Sequence, residues 1–210
     1  MMFYTCTTVG GTRYLKEWVQ AIKKLNPHKI VIAKDVSRSE PVDVNVEVLE
    51  YDTRTPWQNY ESRHMRWESD ASILEGIKIL LKHFLSYNLT HFIHVDSDII
   101  LSDMAVYQIR HNEWDYLQIG VPVIPRELPP TEDWRKHIGT FFESTNFGIS
   151  RRLAEKIVNQ LSEKIVNPYP VDINIHKIIK ENYRTLHNPV HQSIYNAKIV
   201  HYIKGERVIR

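Results

Sequence analysis

The stretch His91–Leu101, His-Phe-Ile-His-Val-Asp-Ser-Asp-Ile-Ile-Leu, constrains the fold most strongly. Its first half is a short apolar run of the kind that forms a strand buried inside a sheet. The run delivers two carboxylates, Asp96 and Asp98, before apolar residues return at Ile99. Like charges this close repel each other, and burying either one without a counter-charge costs free energy. A bound Mg²⁺ or Mn²⁺ explains the pair most simply, because these ions take oxygen ligands and leave positions open for phosphate.

A strand, a helix and a second strand are predicted within about the first 35 residues. Met2–Thr7 is a short strand candidate, and apolar residues then recur at helical spacing over residues 15–25. Lys29–Lys34 contains the continuous apolar run that suits a strand buried on both faces of a parallel sheet, and it ends at Asp35. Together these segments predict a right-handed βαβ unit.

Strand-like and helix-like patterns continue to the end of the chain. The further predicted strands are 42–48, 91–95, 116–121, 145–149 and 197–203, and the further predicted helices are 62–85, 103–111, 150–161 and 171–180. This order predicts an α/β fold, a three-layer sandwich with a mostly parallel central sheet. Residues 122–140 contain four prolines and no periodicity, so we predict a long loop of the kind that is usually functional.

Polar residues follow three of the predicted strands at the point where each strand ends. Thr7 and Thr8 end the first strand, Asp35 ends the second, and Asp96 and Asp98 follow the strand at 91–95. In open α/β sheets, ligands bind at the carboxyl ends of the strands. The sequence therefore predicts that these groups converge on one edge of the sheet.

Composition limits the class of protein. The 210 residues are enough for one substantial core, and a net charge of +2 argues against nucleic acid as a partner. No apolar segment reaches the roughly 18–20 residues that span a bilayer, and the N-terminus lacks the pattern of a signal peptide. The single cysteine, Cys6, excludes an intramolecular disulfide and favours a reducing compartment. We therefore expect a cytoplasmic protein without a transmembrane segment, and contact with a membrane surface stays open.

Five segments resemble, in the family's order, motifs of the nucleotide-sugar glycosyltransferases of the GT-A fold. The strand Phe-Ile-His-Val-Asp-Ser-Asp-Ile is similar to their Asp-x-Asp strand. The other segments are Thr-Arg-Tyr-Leu-Lys-Glu-Trp-Val at 12–19, Asn-Phe-Gly-Ile-Ser-Arg-Arg at 146–152, Val-Asp-Ile-Asn at 171–174 and Val-His-Tyr-Ile-Lys-Gly at 200–205. The resemblance covers nearly the whole chain. It implies one glycosyltransferase domain over 1–210, with a nucleotide-binding half at about 1–101 and an acceptor-side half at about 102–210.

The resemblance also implies roles for the matching residues. Asp98 would bind the metal directly, and Asp96 would contact the donor's ribose or reach the metal through water. His201 would be a further metal ligand, and Asp172 would deprotonate the acceptor hydroxyl, giving transfer with inversion. The nucleotide-sugar donor, a UDP-sugar by preference, would contact the residues Thr7, Thr8, Asp35, Arg63, Arg66, Asp96 and Ser97.

Several of these residues have a purely structural alternative. Arg63 and Arg66 lie one helical turn apart, where they could pair with a diphosphate or with acidic residues of the same helix. An acid such as Asp172 is favoured at a helix start by the helix dipole alone. His201 is one of 11 histidines, and a histidine on a strand is often structural. Because a carboxy-terminal histidine ligand is more typical of retaining branches, the stereochemistry stays open with inversion favoured.

Other functions compete with the metal-dependent glycosyltransferase. A nucleotidyltransferase uses a similar sheet but usually has a Gly-rich basic loop after strand one, of which residues 7–13 are a poor version. A phosphohydrolase of the haloacid dehalogenase type places its Asp-x-Asp near the N-terminus, whereas here it lies mid-chain. A catalytically silent domain that binds sugar nucleotides is the non-enzymatic alternative. The acceptor, whether a glycan, a protein or a small molecule, is not identified by the sequence.

Overall fold

The computed structural model describes residues 1–8, 14–53, 67–97, 99–101, 103–111, 113–119, 146–163, 191–194, 199–203 and 206–209. Its helices are α1 (Leu15–Lys24), α2 (Trp67–Ser86), α3 (Asp103–His111) and α4 (Arg151–Glu163). Its strands are β1 (Met2–Thr8), β2 (Lys29–Asp35), β3 (Glu47–Tyr51), β4 (His91–Val95), β5 (Ile99–Leu101), β6 (Tyr116–Ile119), β7 (Asn146–Ser150), β8 (His191–Ile194), β9 (Ile199–Ile203) and β10 (Glu206–Ile209).

In the described part of the chain, seven strands form the main sheet, in the order β3-β2-β1-β4-β7-β6-β8. Strand β7 runs antiparallel to both of its neighbours, β4 and β6, and every other neighbouring pair is parallel. The three remaining strands form a small antiparallel sheet in the order β10-β9-β5. The predicted α/β fold with a mostly parallel sheet is confirmed. Both halves of the chain contribute strands to the main sheet, and the single-domain interpretation stays a prediction.

Two apolar cores lie on opposite faces of the main sheet and make the fold three-layered. On β2, Ile30 and Ile32 belong to the core that contains the buried face of α1, while Val31 and Ala33 belong to the core that contains α2 and α4. This alternation explains the continuous apolar run in the sequence, because both faces of the strand are covered. Helix α3 contributes Ile109 to the α1 core.

Arg151, the first residue of α4, connects α4 to the end of α2. Its guanidinium donates a 2.9 Å hydrogen bond to the carbonyl oxygen of Leu85 and another hydrogen bond to the carbonyl oxygen of Tyr87. The last carbonyl groups of a helix have no partner within the helix, so these bonds satisfy the end of α2. The Ser150 hydroxyl accepts a hydrogen bond from the Leu153 N–H at 3.3 Å, so Ser150 caps the start of α4.

The predicted strand at 42–48 is wrong over residues 42–46, because the strand β3 begins only at Glu47. Val42, Val44 and Val46 are instead partly buried against the α1 core, as is Val48 of β3. A segment that places every second residue on a core gives the same two-residue period as a strand, although its backbone joins no sheet. The alternating pattern therefore predicted the partial burial of these valines correctly, but it predicted strand pairing where residues 42–46 have none.

Three predicted segments lie outside the described residues: the helical start 62–66, the loop 122–140 and the helix 171–180. Helix α2 is described from Trp67 onward. None of the helices in the described ranges is long and apolar enough to cross a membrane.

Candidate functional site at the carboxyl edge of the sheet

The carboxyl ends of β1 and β4 meet where the strand order reverses. The chain passes from β1 to β2 and β3 on one side, and then returns to place β4 on the other side of β1. The parallel register pairs Thr5 with His94, so Asp96 lies level with Thr7 along the strands. Such a reversal leaves a crevice above the strand ends, and this crevice is where open α/β sheets bind their ligands.

Asp96 is held at this crevice through its backbone. Its N–H donates a 3.4 Å hydrogen bond to the side-chain oxygen of Asn146, which is buried on β7. Its carbonyl oxygen accepts a 3.0 Å hydrogen bond from the Ile99 N–H, closing a turn between β4 and β5. The Asp96 side chain is about one-third exposed. The fold therefore fixes the backbone of Asp96 and leaves its carboxylate partly open to solvent.

His94 lies on β4, two residues before Asp96, and its side chain is fully buried. Its Nε2 atom lies 3.7 Å from Asp96 Oδ1, which is an ion-pair distance and longer than a hydrogen bond. Neither ring nitrogen has a hydrogen-bond partner in the described part of the chain. The neighbouring Thr5 hydroxyl on β1 is likewise buried without such a partner there. Buried polar groups without a hydrogen-bond partner cost free energy, so these two side chains are expected to lower the stability of the folded chain.

Cys6 is buried on the opposite face of β1 from Thr5. Burial raises the pKa of its thiol well above the ordinary value, and the negative charge of Asp96 raises it further. The thiol therefore stays protonated near neutral pH and is a poor metal ligand, since metals bind the thiolate.

Asp35, a predicted nucleotide contact, is fully buried at the end of β2. Its Oδ1 accepts hydrogen bonds from the Ser37 N–H at 2.9 Å and the Ser37 hydroxyl at 2.6 Å. Its Oδ2 accepts bonds from the hydroxyls of Thr53 and Ser72, both at 2.5 Å. Burial alone raises the pKa of Asp35, but the hydrogen bonds from Ser37, Ser72 and Thr53 outweigh it and hold the pKa below its ordinary value. These contacts tie β2 to the segment after β3 and to α2, and the predicted nucleotide contact stays a prediction.

The small sheet brings the backbone of His201 next to the Asp-x-Asp segment. Strands β5 and β9 pair antiparallel, with Ile99 opposite His201 and Ile100 opposite Val200. Ile99 directly follows Asp98 in the chain. The backbone of His201, a predicted metal ligand, thus lies opposite the residue that directly follows Asp98.

The remaining predicted site residues are placed only in part. Thr7 and Thr8 are described as backbone at the end of β1, in register with Ala33 and Lys34. Ser97 is half-buried directly after Asp96. The predicted residues Asp98, Arg63, Arg66 and Asp172 lie outside the described residues. Within the described ranges, no three acidic, histidine or cysteine side chains form a metal-binding cluster.

Three residues at this edge were not singled out from the sequence. Asn146 binds the backbone of Asp96, while Thr53 and Ser72 bind Asp35. Asn146 opens a segment that the family resemblance had marked, and this was a usable signal. Thr53 and Ser72 lie 18 and 37 residues from Asp35, and no short-range pattern connects them to it.

The described chain is therefore an α/β protein with a mostly parallel sheet and with polar residues, Asp35 and Asp96 among them, at the carboxyl edge of that sheet. No protein-family model matches the sequence, and no curated protein matches it either. Among solved structures, the chain is similar to the crystal structure of A197 from STIV, with a TM-score of 0.53 and 13% sequence identity. The match covers 100% of this chain and 93% of that one. At this identity the likeness shows a shared fold.

Proposed function

We propose that this protein is a metal-dependent glycosyltransferase that takes its sugar from a nucleoside-diphosphate sugar, with a UDP-sugar as the preferred donor. The observation that carries the proposal is the position of Asp96 at the end of β4, beside β1, where the strand order reverses. An acidic Asp-x-Asp segment at this crevice suits a cation-bridged diphosphate, because the ion and the open edge of the sheet both favour phosphate. The likeness to A197 supports the fold on which the proposal rests.

The proposed metal ligands are Asp98 and His201, with Asp96 contributing directly or through water. The pairing of β5 with β9 supports this set, since the backbone of Ile99, which follows Asp98, lies opposite that of His201. Two carboxylates with one imidazole suit Mn²⁺ or Mg²⁺. A cation held there would neutralise the donor's two phosphates and stabilise the diphosphate as it leaves. Asn146 would keep Asp96 in place through the backbone bond.

The donor would lie across the ends of β1 and β2. Thr7, Thr8 and Ser97 would contact the nucleotide at the crevice, and Asp35 would either contact it or shape the pocket from below. Arg63 and Arg66 would pair with the diphosphate, since guanidinium groups bind phosphate oxygens through paired hydrogen bonds.

Asp172 would act as the general base on the acceptor hydroxyl, and inversion is the favoured outcome. A carboxylate that takes this proton as the sugar is transferred contributes about 10²–10⁴-fold in rate. The acceptor is a glycan, a protein or a small molecule, and the loop at 122–140 would close over the donor or line the acceptor site.

The direct test is release of UDP from a panel of UDP-sugars in the presence of Mn²⁺. We expect wild type to turn over at least one donor, and Asp98→Ala to reduce that rate by roughly 10²-fold or more. Asp43→Asn is the matched control, because Asp43 is an acid whose side chain is 90% exposed on the surface. Equal binding and turnover in wild type and Asp98→Ala would show that the metal assignment is wrong. Mn²⁺-dependent binding of UDP without turnover of any donor would favour the silent binding domain.

The proposed base is tested separately with Asp172→Asn. We expect affinity for UDP and Mn²⁺ to be unchanged, since the base faces the acceptor, and turnover to fall by about 10²-fold. Isothermal titration with UDP and Mn²⁺ measures the first quantity, and UDP release measures the second. A loss of UDP binding would reassign Asp172 to the donor side.

A further inference from the structure

A cavity of about 320 Å³ opens at the amino-terminal edge of the main sheet, away from the crevice that holds Asp96. It lies between the start of β1, the turn after α1 and the end of α3. Met2 begins β1 and pairs with His91, whereas Asp96 lies five residues further along β4. At about 3.3 Å per residue, the two sites are separated by roughly 16 Å along the strands.

The walls of this cavity are mainly apolar. Met1, Met2, Leu25 and Pro27 line it, together with the ring of Tyr4. Its volume is near the lower end of the range for small-molecule sites, about 300–1,000 Å³. The cavity therefore suits a small ligand with an apolar body.

The polar side chains of Asn26, His28, Tyr4 and Arg110 also line the cavity. Arg110, in the last turn of α3, lines the cavity and makes no ion pair with the described residues. Tyr4 lines it as well, and within the described ranges its hydroxyl donates a hydrogen bond to the sulfur of Met2 alone, at 3.8 Å, which is a weak bond. Burial raises the pKa of Tyr4 and the nearby charge of Arg110 lowers it, giving about 12, so the hydroxyl keeps its proton.

The positive charge of Arg110 at the cavity favours an anionic ligand. None of the lining residues in the described ranges is acidic, so the positive charge of Arg110 is uncompensated within the cavity. A cation in the last turn of a helix is favourable by itself, but Arg110 also lies beside the buried Tyr4 and the apolar walls of the cavity. A guanidinium pairs with a carboxylate through two parallel hydrogen bonds, which one arginine satisfies in full.

We propose that this cavity is a second binding site, distinct from the crevice, which takes a small organic monocarboxylate with an apolar body. The guanidinium of Arg110 binds the carboxylate, the hydroxyl of Tyr4 donates a further hydrogen bond to it, and the apolar part packs against Met2, Leu25 and Pro27. The site is independent of the proposed transferase activity, since no residue is shared between the two.

The test is a titration of the full chain with benzoate, followed by ¹H–¹⁵N correlation NMR. We expect shifts of the backbone amides at residues 2–4, 25, 26, 28 and 110 with a dissociation constant of about 1 mM, a value typical of so small a ligand. Benzamide, which has the same ring but no charge, should bind at least about tenfold more weakly. Absence of shifts at these residues, or equal binding of benzamide and benzoate, would overturn the proposal.

Two variants and one control test the contacts in the same titration. Arg110→Gln should weaken benzoate by at least about tenfold, and Tyr4→Phe by about three- to tenfold. Lys82→Gln also removes one cation from an exposed helix position, and it should leave the dissociation constant unchanged. Because Arg110 is exposed, its replacement is not expected to disturb folding. Unchanged affinity in Arg110→Gln overturns the site, and unchanged affinity in Tyr4→Phe overturns the contact with the hydroxyl.

Discussion

The carboxylate of Asp35 is buried and is stabilised by hydroxyl and amide donors. Its four hydrogen bonds come from Ser37, Thr53 and Ser72, and the guanidinium of Arg38 lies 3.8 Å away. An ionised acceptor makes each of these bonds stronger than a neutral one would be. Asp35 therefore contributes to folding whether or not it also contacts a nucleotide.

Asp35→Asn should lower the free energy of unfolding by roughly 2–3 kcal/mol at pH 7, because the amide loses the charge and turns one acceptor into a donor. The pKa of Asp35 is lowered in the folded state, so its contribution is complete above the ordinary aspartate pKa of about 3.9. It is lost as the pH falls through the folded pKa. Urea unfolding between pH 7 and pH 3 should therefore show the difference from wild type shrinking only at the acidic end. A difference that grows on acidification would contradict this account, and Asp43→Asn serves as the exposed control.

His94 offers the opposite case, a buried polar side chain that lacks hydrogen bonds in the described part of the chain. His94→Leu should raise the free energy of unfolding by about 1 kcal/mol, because it removes two unsatisfied ring nitrogens at similar volume. The same change should weaken Mn²⁺ binding in the presence of UDP, since the ring lies 3.7 Å from Asp96. Thermal or urea unfolding measures the first effect, and titration with Mn²⁺ measures the second. A variant that is clearly less stable than wild type would mean that the ring is well bonded in the folded protein.

At the scale of elements, the sequence predicted best where the local pattern and the tertiary environment agree. The continuous apolar run at Lys29–Lys34 corresponds to β2, and the helix predicted at 62–85 corresponds to α2 from Trp67 onward. The sequence-based prediction was wrong where contacts with distant residues determine the structure. The segment 42–46, for example, packs on a core without joining a sheet. The same reason limits the site. Asp96 could be predicted from its own strand, whereas Asn146, 50 residues away, could not be assigned its contact.

Gly148 on β7 lies where neighbouring side chains leave no room for a Cβ atom. A Cβ atom there would lie 2.8 and 2.9 Å from two ring atoms of Trp114, and 3.2 Å from the Cβ of Leu117. The Trp114 ring is held in place by its 3.1 Å hydrogen bond to the carbonyl oxygen of Ile109. Only glycine therefore fits between β4 and β6 at this position.

Gly148→Ala should lower the free energy of unfolding by about 1–3 kcal/mol, the usual cost of overfilling a packed core. In a Trp114→Phe background the same substitution should cost at least about 1 kcal/mol less, because phenylalanine lacks the two crowded ring atoms. Urea unfolding of the two single variants and the double variant gives this coupling. Additive effects would show that the clash with Trp114 does not set the cost.

In the molecule as a whole, the apolar cores that stabilise the fold lie apart from the two proposed binding sites. The two cores cover both faces of the main sheet, while the proposed donor crevice lies at one edge and the proposed carboxylate cavity at the other. The crevice is built from segments distant in sequence, since β1 and β4 end near it, β7 begins near it, and the start of β5 pairs with β9 there. A ligand that joins these ends should therefore stabilise the folded chain as a unit.

This expectation gives a prediction about thermal unfolding. UDP together with Mn²⁺, each at about 100 times its dissociation constant, should add up to about 2.7 kcal/mol of stability by binding only the folded state. For a chain of this size, that corresponds to a rise in Tm of several degrees. The rise should vanish when EDTA replaces Mn²⁺ and in Asp98→Ala, but persist in Asp43→Asn, because only the first two conditions remove the bridge between acid and diphosphate. A rise of equal size with EDTA would mean that UDP binds without a cation, and the role proposed for the paired acids would then be wrong.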